Sequence, residues 1–594
     1  MVHEIRDEYD VVIMGGGPAG ATLGAVLARR TNLRIALFDK EIFPREHIGE
    51  SFAHPVVPAL EASGALAKVL ASECWVQKFG GIYSWDETSP KVTYFDHPSV
   101  VEDGVYRWAL HVNRSEFDHI LLDNAADHGV EVFQGVAVKG FESGPSGCAV
   151  RLADGRSVRA AYFVDAAGRR TSIAAKAKRQ WLSEYRNIAI WQHFTGGLPA
   201  QDLPGEWNVF HDDSLSPILC SAFKDGWCWY IPVPKMVGGR RTMTHSIGIV
   251  TLPEVLREPG KDFTDPETFM RAVRSVPHVR DLIGGVEPIA EGVHTATNYS
   301  MINDRFTDFD ERWILAGDAA FFVDPLFSSG VAFGMTMGAA TALLLEQTFS
   351  SALSEQDKRD LWQDYDEGWH GLAETFALSI DQWYHAIGKN DPESVYWRSR
   401  GAVADLDIQD RTFDALLNTA LIPDLLQVLS GGTGRIEDLD RDGPYMRAAG
   451  LAEPAEVDDG TPLRLVGGVT ARRGPGVDVP GFKAFMPPAP YQVPPEVKAA
   501  FAQYWKDPLS DGGALPAPLD APLACHRFQV EGRPAVRGLD RDGAEGVWAA
   551  LRAGPVTLGS FGGPLGFPQR QLVKRLLRAG LVTPLPAGSG GARP

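Results

Sequence analysis

The sequence has no apolar run long enough to cross a membrane, no C-x-x-C pair and no excess of positive charge. Each absence excludes something. The two longest apolar runs, Val11 to Leu27 and Val331 to Leu345, fall short of the roughly 20 residues that a spanning helix needs. The first also lacks a basic leader, so it does not read as a signal peptide. Five scattered cysteines (Cys74, Cys148, Cys220, Cys228 and Cys525) argue against a disulfide frame or a zinc site and for a reducing compartment. A formal net charge of -19 disfavours DNA or RNA as a main partner. A cytoplasmic protein without a membrane anchor is the expectation, with no internal repeat. What is present is ordinary globular composition, 44% hydrophobic and 22% charged, over 594 residues, enough for two or three domains.

The N-terminal motif is specific because of its setting. Tyr9 to Met14 reads as a buried parallel strand, Gly15-Gly16-Gly17-Pro18-Ala19-Gly20 follows at once, and Ala21 to Arg30 has helical character. A G-x-G-x-x-G between strand and helix is a dinucleotide fingerprint: Gly15 permits the turn, Gly17 admits the pyrophosphate, and Gly20 allows close helix packing. Pro18 and Ala19, within this glycine turn, are expected to contact the cofactor with Gly15, Gly17 and Gly20. A second strand, Arg34 to Phe38, leads to Asp39 and Lys40, where an acid bonds a ribose hydroxyl. No second such glycine set sits between a strand and a helix, so one dinucleotide site is expected.

Later segments resemble the motifs of FAD monooxygenases. Pro44-Arg45-Glu46-His47-Ile48-Gly49-Glu50-Ser51 resembles P-R-x-x-x-G-E-S, which implies that Arg45, Ile48, Gly49, Glu50 and Ser51 run beside the flavin. Arg114 to Asp118 resembles R-x-x-F-D, with Arg114 near FAD. Val164 to Arg169 resembles V-D-A-x-G-R, which brings in Asp165 and Gly168, and Trp313 to Ala320 supplies Gly317 and Asp318. Three further features resemble the flavin-dependent halogenases, of the phenol or pyrrole type. Trp227-Cys228-Trp229-Tyr230-Ile231-Pro232 matches W-x-W-x-I-P, implying that Trp227, Trp229 and Pro232 keep substrate away from the flavin. Phe322-x-x-Pro325-x-x-Ser328-x-Gly330 matches F-x-x-P-x-x-S-x-G, implying Pro325 at the flavin and a halide at Ser328, Ser329 and Gly330. Lys78 stands where the family has its catalytic lysine. The position of Phe327 is a glutamate in tryptophan halogenases, so an electron-rich ring is the expected substrate. For a phenol, His111, His193 and His211 are the histidines that a general base could come from.

The resemblance implies an α/β fold: a Rossmann-like FAD-binding domain of the GR2, p-hydroxybenzoate hydroxylase-like type with an interleaved substrate-binding β-sheet. It implies a halogenase that uses reduced FAD, oxygen and chloride or bromide to make hypohalous acid, which Lys78 delivers. A separate flavin reductase would supply the reduced FAD, and the aromatic substrate is either free or on an acyl or peptidyl carrier protein. No metal is expected. An aromatic hydroxylase on the same fold and a flavin-binding regulator are the alternatives. Four regions are expected: a core over 1–350, a helical region over 351–450, a Pro/Gly-rich connector over 451–523, and a winged-helix-like module over 524–594. The last carries basic residues at Arg570, Lys574, Arg575 and Arg578, which suit DNA, an acidic carrier or solvent.

Overall fold

The computed structural model describes residues 4–400 apart from 54, 79, 85–89, 95–108, 145, 171–175, 183–185, 204–216, 291, 298–299 and 389–392. It also describes 442, 455–476, and 523–585 apart from 532–534 and 564. His211 and most of the stretch 401–450 therefore lie outside the described residues.

Two large sheets make up the mixed α/β core. In the first, Trp313–Leu315, Ser157–Asp165, Glu8–Met14, Ile35–Asp39 and Glu131–Gln134 run parallel, in that order. These strands are rich in β-branched and aromatic residues and are buried on both faces, as parallel strands must be. Helix α1, Pro18–Arg30, leaves the first strand through the glycine turn. It packs against helix α2, Gly330–Phe349, so closely that a Cβ on Gly338 would stand 2.4 Å from the Ala19 carbonyl oxygen. No helix among the described residues is long and apolar enough to cross a membrane.

The second sheet has the order Glu287–Pro288, Ile188–Thr195, Arg240–Thr251, Gly226–Val237, Ile218–Phe223, Gly80–Ser84 and Pro90–Tyr94. Its register lines up one row of side chains on one face: Tyr83, Cys220, Trp229, Gly248, Trp191 and His294. Helix α3, Glu355–Gly388, is roughly 50 Å long and bridges both sheets. Asp366 accepts the Phe306 and Thr307 N–H groups at the edge of the first sheet, and the Tyr384 hydroxyl accepts the Trp227 indole N–H of the second at 2.9 Å.

The C-terminal unit has its own core, around Leu463, Phe528, Val547, Leu551, Leu572 and Val582. Within the expected connector, Leu463–Leu465 pairs with Val582–Pro584 and Thr470–Gly476 pairs with Leu523–Gln529. The strands within 463–476 thus belong to this unit, with Leu463 in its core and Leu465, Val469 and Ala471 packed against it; 451–454 and 477–522 of the connector lie outside the described residues. The basic helix Gly566–Arg578 does not offer a bare cationic face. Arg570 meets Asp459 at 2.7 Å, Lys574 meets Asp442 at 2.5 Å and Arg578 meets Glu456 at 2.9 Å.

Charge also fixes the unit to α3. Asp357, Asp360 and Asp364 share one helix face, and Arg472, Arg527 and Arg537 meet them from the C-terminal sheet. Asp364 accepts Arg527 at 2.7 Å and Arg537 at 3.2 Å in a nearly dry interface. Breaking one partner of a buried network costs more than the network contributes as a whole. Asp364→Ala removes the short partner of both Arg527 and Arg537, leaving Arg527 only the longer contact to Asp360 at 3.6 Å, and is expected to lower stability by about 3–5 kcal/mol. Arg527→Ala leaves Asp360 and Asp364 each with another arginine and should cost less; urea unfolding of the two variants measures the difference.

Candidate functional site

The glycine turn is set by close approach. A Cβ on Gly20 would lie 1.9 Å from the Gly15 carbonyl oxygen, and Gly15 itself sits at φ +107. Asp39, expected at a ribose, accepts the Gly16 N–H at 2.7 Å and the Glu41 N–H at 2.8 Å, and so also braces the turn. Among the described residues, the one side-chain atom within 4 Å of a Cβ built on Gly17 is Arg45 Nη2, at 3.5 Å, so the turn opens toward a cation. The first turn of α1 has no side-chain cap, which leaves its N–H groups to a ligand. Arg114 clamps Asp118 through two bonds of 2.8 and 2.9 Å and holds the Ile48 and Gly49 carbonyls. Asp165 accepts the Ala167 N–H at 3.0 Å, and Gly168 and Gly317 have φ of +70 and +62. Asp318 lies deep but keeps an accessible edge; burial raises its carboxyl to about 6, against the pull of Arg169 and Arg114. N–H groups, three arginines and a carboxyl edge around one opening fit a dinucleotide of phosphates and hydroxyls. Lys40 is separate from this group: its half-exposed ammonium pairs with Glu41.

Lys78 is almost fully buried, 2% exposed. Its strand, Trp75–Lys78, pairs with Ala109–Val112, which in turn bridges to Ser51. Ala109 is the residue opposite Lys78, and its small side chain lets the lysine pass to the next strand. There Nζ donates to Ser51 Oγ and the Phe52 carbonyl, both at 2.8 Å. Burial lowers the amine to about 7, against a smaller upward pull from Cys220. Burial pushes the neighbouring Cys220 up to about 12, which keeps it a thiol and a poor nucleophile.

Ser51 also accepts a hydrogen bond from Ser328 Oγ at 3.1 Å, which ties Lys78 to the loop before α2. Ser328 adopts φ +57, a left-handed conformation that is costly for a non-glycine residue, and its N–H donates to the Pro325 carbonyl at 2.9 Å. Ser329 caps α2 in position without a side-chain bond, and Gly330 lies under the Phe322 ring, 2.8 Å from a built Cβ. The N-terminus of this 20-residue helix presents N–H groups and a positive dipole end to an anion. Phe327 is buried here, 6.4 Å from the Tyr83 ring, and brings no acid.

Trp227 and Trp229 stand on one face of their strand, ring centroids 6.1 Å apart, and Pro232 is buried farther along. The Trp229 ring lies flat over Gly248, where a Cβ would be 2.1 Å from the indole. Trp227 is held by Tyr384, whose hydroxyl donates to Asp324 at 3.0 Å; Asp324 also accepts from Asn187 and the Leu326 N–H. Sequence reasoning did not single out Tyr384, Asp324 or Asn187. Asp324 had a signal, being a buried acid inside the Phe322–Gly330 motif; Tyr384, in an unmarked helical stretch, had none. His111 lies buried between two strands, and His193 meets Glu50 at 2.5 Å.

Residues 83–415 match the family model described as Tryptophan halogenase, over half of the chain. The chain belongs to the tryptophan halogenase family. It is a flavin-dependent halogenase, using FAD, halide and oxygen. It is 27% identical over 407 residues to a tryptophan 2-halogenase of Chondromyces crocatus, covering 67% of this chain and 71% of that one. It is 30% identical over 349 residues to a 1H-pyrrole-2-carbonyl-[peptidyl-carrier protein] chlorinase of Pseudomonas fluorescens, covering 54% and 72%. Among solved structures, the flavin-dependent halogenase CmlS shares the fold at a TM-score of 0.64 and 22% identity, over 98% of this chain and 97% of that one. The myxobacterial chondrochloren halogenase CndH gives a TM-score of 0.56 at 26% identity, over 72% and 91%.

Two outcomes test this halogenase geometry. Gly20→Ala should abolish FAD retention, read as loss of flavin absorbance after gel filtration, because the added methyl meets backbone. Lys78 carries a second signature. An unfolded lysine stays protonated to about pH 10, whereas the folded one loses its proton near 7. The unfolded chain therefore binds the extra proton in this window, and stability from this group rises with pH by up to about 1.4 kcal/mol per unit. Lys78→Met should flatten that slope in denaturation curves taken from neutral to alkaline pH.

Proposed function

We propose that this halogenase chlorinates or brominates an electron-rich phenol or pyrrole ring, free or carrier-tethered, in natural-product biosynthesis. The observation that carries the reading is the chain Lys78–Ser51–Ser328, which couples a buried amine to an anion-attracting helix N-terminus. Reduced FAD and oxygen supply the oxidising equivalents for the halide. The N–H groups of Gly17 to Ala19, with Pro18 starting α1, would face the pyrophosphate, near Arg45; Arg114, Asp165, Gly168, Gly317 and Asp318 would line the rest of the cofactor. Ser328, Ser329 and Gly330 would hold chloride beside Pro325. Lys78 would receive hypohalous acid and orient its halogen, as an ammonium donor or through the free amine, in a place dry enough to keep the reagent from water.

The indoles of Trp227 and Trp229, pinned by Tyr384 and Ser246, would separate ring from flavin, so that halide and not substrate is oxidised first. Phe327 in place of an acid supports a ring that already carries electron density. A flavin reductase would deliver reduced FAD, and the relative that acts on a pyrrole bound to a peptidyl carrier protein supports a tethered substrate as one form. The parallel sheet with its glycine turn supports a Rossmann-like domain within 1–350. The helices Ala544–Ala553 and Gly566–Arg578 followed by Val582–Pro584 support a winged-helix-like module at the C-terminus.

Lys78→Ala should consume oxygen in the presence of reduced FAD and chloride yet yield no halogenated ring, measured by oxygen electrode and mass spectrometry of the same reaction. A hydroxylated product from either protein would instead favour a hydroxylase.

A further inference from the structure

We infer that His193, held by Glu50, is the base that takes the hydroxyl proton of a phenolic substrate at this site. The inference rests on the halogenase reading above and narrows the ring to a phenol.

The register of the second sheet puts His193 beside Ser246 and Ile231, in the row next to Trp191, Gly248 and Trp229 and on the same face. It thus stands one row from the tryptophan barrier. Glu50 reaches this face from the other side, and its Oε1 meets His193 Nε2 at 2.5 Å. Glu50 is the residue before Ser51, so the dyad and the Lys78–Ser51–Ser328 chain diverge from adjacent residues. Burial pushes the Glu50 carboxyl up, but the facing His193, the Lys235 charge and the Ser246 hydroxyl outweigh it and hold it below the ordinary range. Lys235 itself bonds Glu46 at 2.9 Å. Glu50 Oε2 has no hydrogen-bond partner among the described residues. His193 Nδ1 likewise makes no hydrogen bond among the described residues, and the side chain keeps 11% of its surface. A carboxylate on one nitrogen and an open second nitrogen is the arrangement of a positioned base.

The step balances without a further reagent. The phenol proton passes to His193, and the ring carbon of the phenolate bonds chlorine as the O–Cl bond of hypochlorous acid breaks. The departing hydroxide takes the C–H proton as aromaticity returns, giving water, and the proton on His193 goes back to the chlorophenolate.

The test compares wild type and His193→Gln, both loaded with FAD, on 4-methylphenol and 4-nitrophenol at about pH 8.5, where the first is neutral and the second ionised. The ratio of wild-type to variant rate should be roughly 100 or more for 4-methylphenol and near one for 4-nitrophenol. The variant's yield of thiol-trapped oxidised halogen should equal that of the wild type, which shows that it folds and binds flavin; with that yield kept, an equal ratio for the two phenols overturns the inference. A wild type that yields thiol-trapped oxidised halogen but chlorinates neither phenol also overturns it. A wild type that yields no oxidised halogen overturns the underlying reading of the site instead.

Discussion

A lysine amine is held away from water, and much of the architecture exists to keep it there. An ammonium group in an apolar interior is costly, and the cost is reduced when the group is deprotonated or given acceptors. Here Ser51 and the Phe52 carbonyl provide acceptors, and burial lowers the amine to about 7. The small residues Ala53, Ala109 and Ala332 pack together around this region and leave room for the side chain to cross from its own strand to the next. The same Ser51 fixes Ser328 in a left-handed conformation, so the lysine and the start of α2 cannot be positioned independently.

The aromatic row on the second sheet follows from the same need. Under the proposed function, dry and rigid surroundings would keep a reactive halogen species from water and from the wrong side chains. Gly248 allows the Trp229 ring to lie across its strand, and the α3 hydroxyl of Tyr384 holds Trp227 against Asp324. Cys220 sits within this row, but burial raises its pKa and leaves it protonated. Helix α3 carries the constraint outward, because the face that meets the C-terminal unit is an aspartate stripe matched by arginines. The C-terminal unit is thereby coupled to the helix that holds Trp227.

The parts of the site that were legible in the sequence are those whose chemistry depends on contiguous residues. The turn Gly15–Gly20 and the segment Ser328–Gly330 are read locally, because backbone N–H groups and glycines act where they stand. Lys78 was singled out through the family resemblance alone, and the structure buries it. Pairings across distant segments were not legible. Glu50 and Ser51 were read only as neighbours of flavin, while the structure gives each a partner more than two dozen residues away, His193 and Lys78. Tyr384 is one aromatic in a long helix, and only the tertiary packing of α3 brings it to Trp227. The strands at 463–476 were hidden because proline and glycine dominate their surroundings, and their partners lie some 50 to 120 residues later.

The most direct test of the central account, that the Lys78–Ser51–Ser328 chain serves an anion at the start of α2, is a crystal structure with FAD and bromide, using anomalous scattering. The account predicts one strong bromide peak beside the N–H groups of Ser329 and Gly330, lost when Ser328→Pro distorts the loop. Full bromide occupancy elsewhere, with none at this turn, would contradict it.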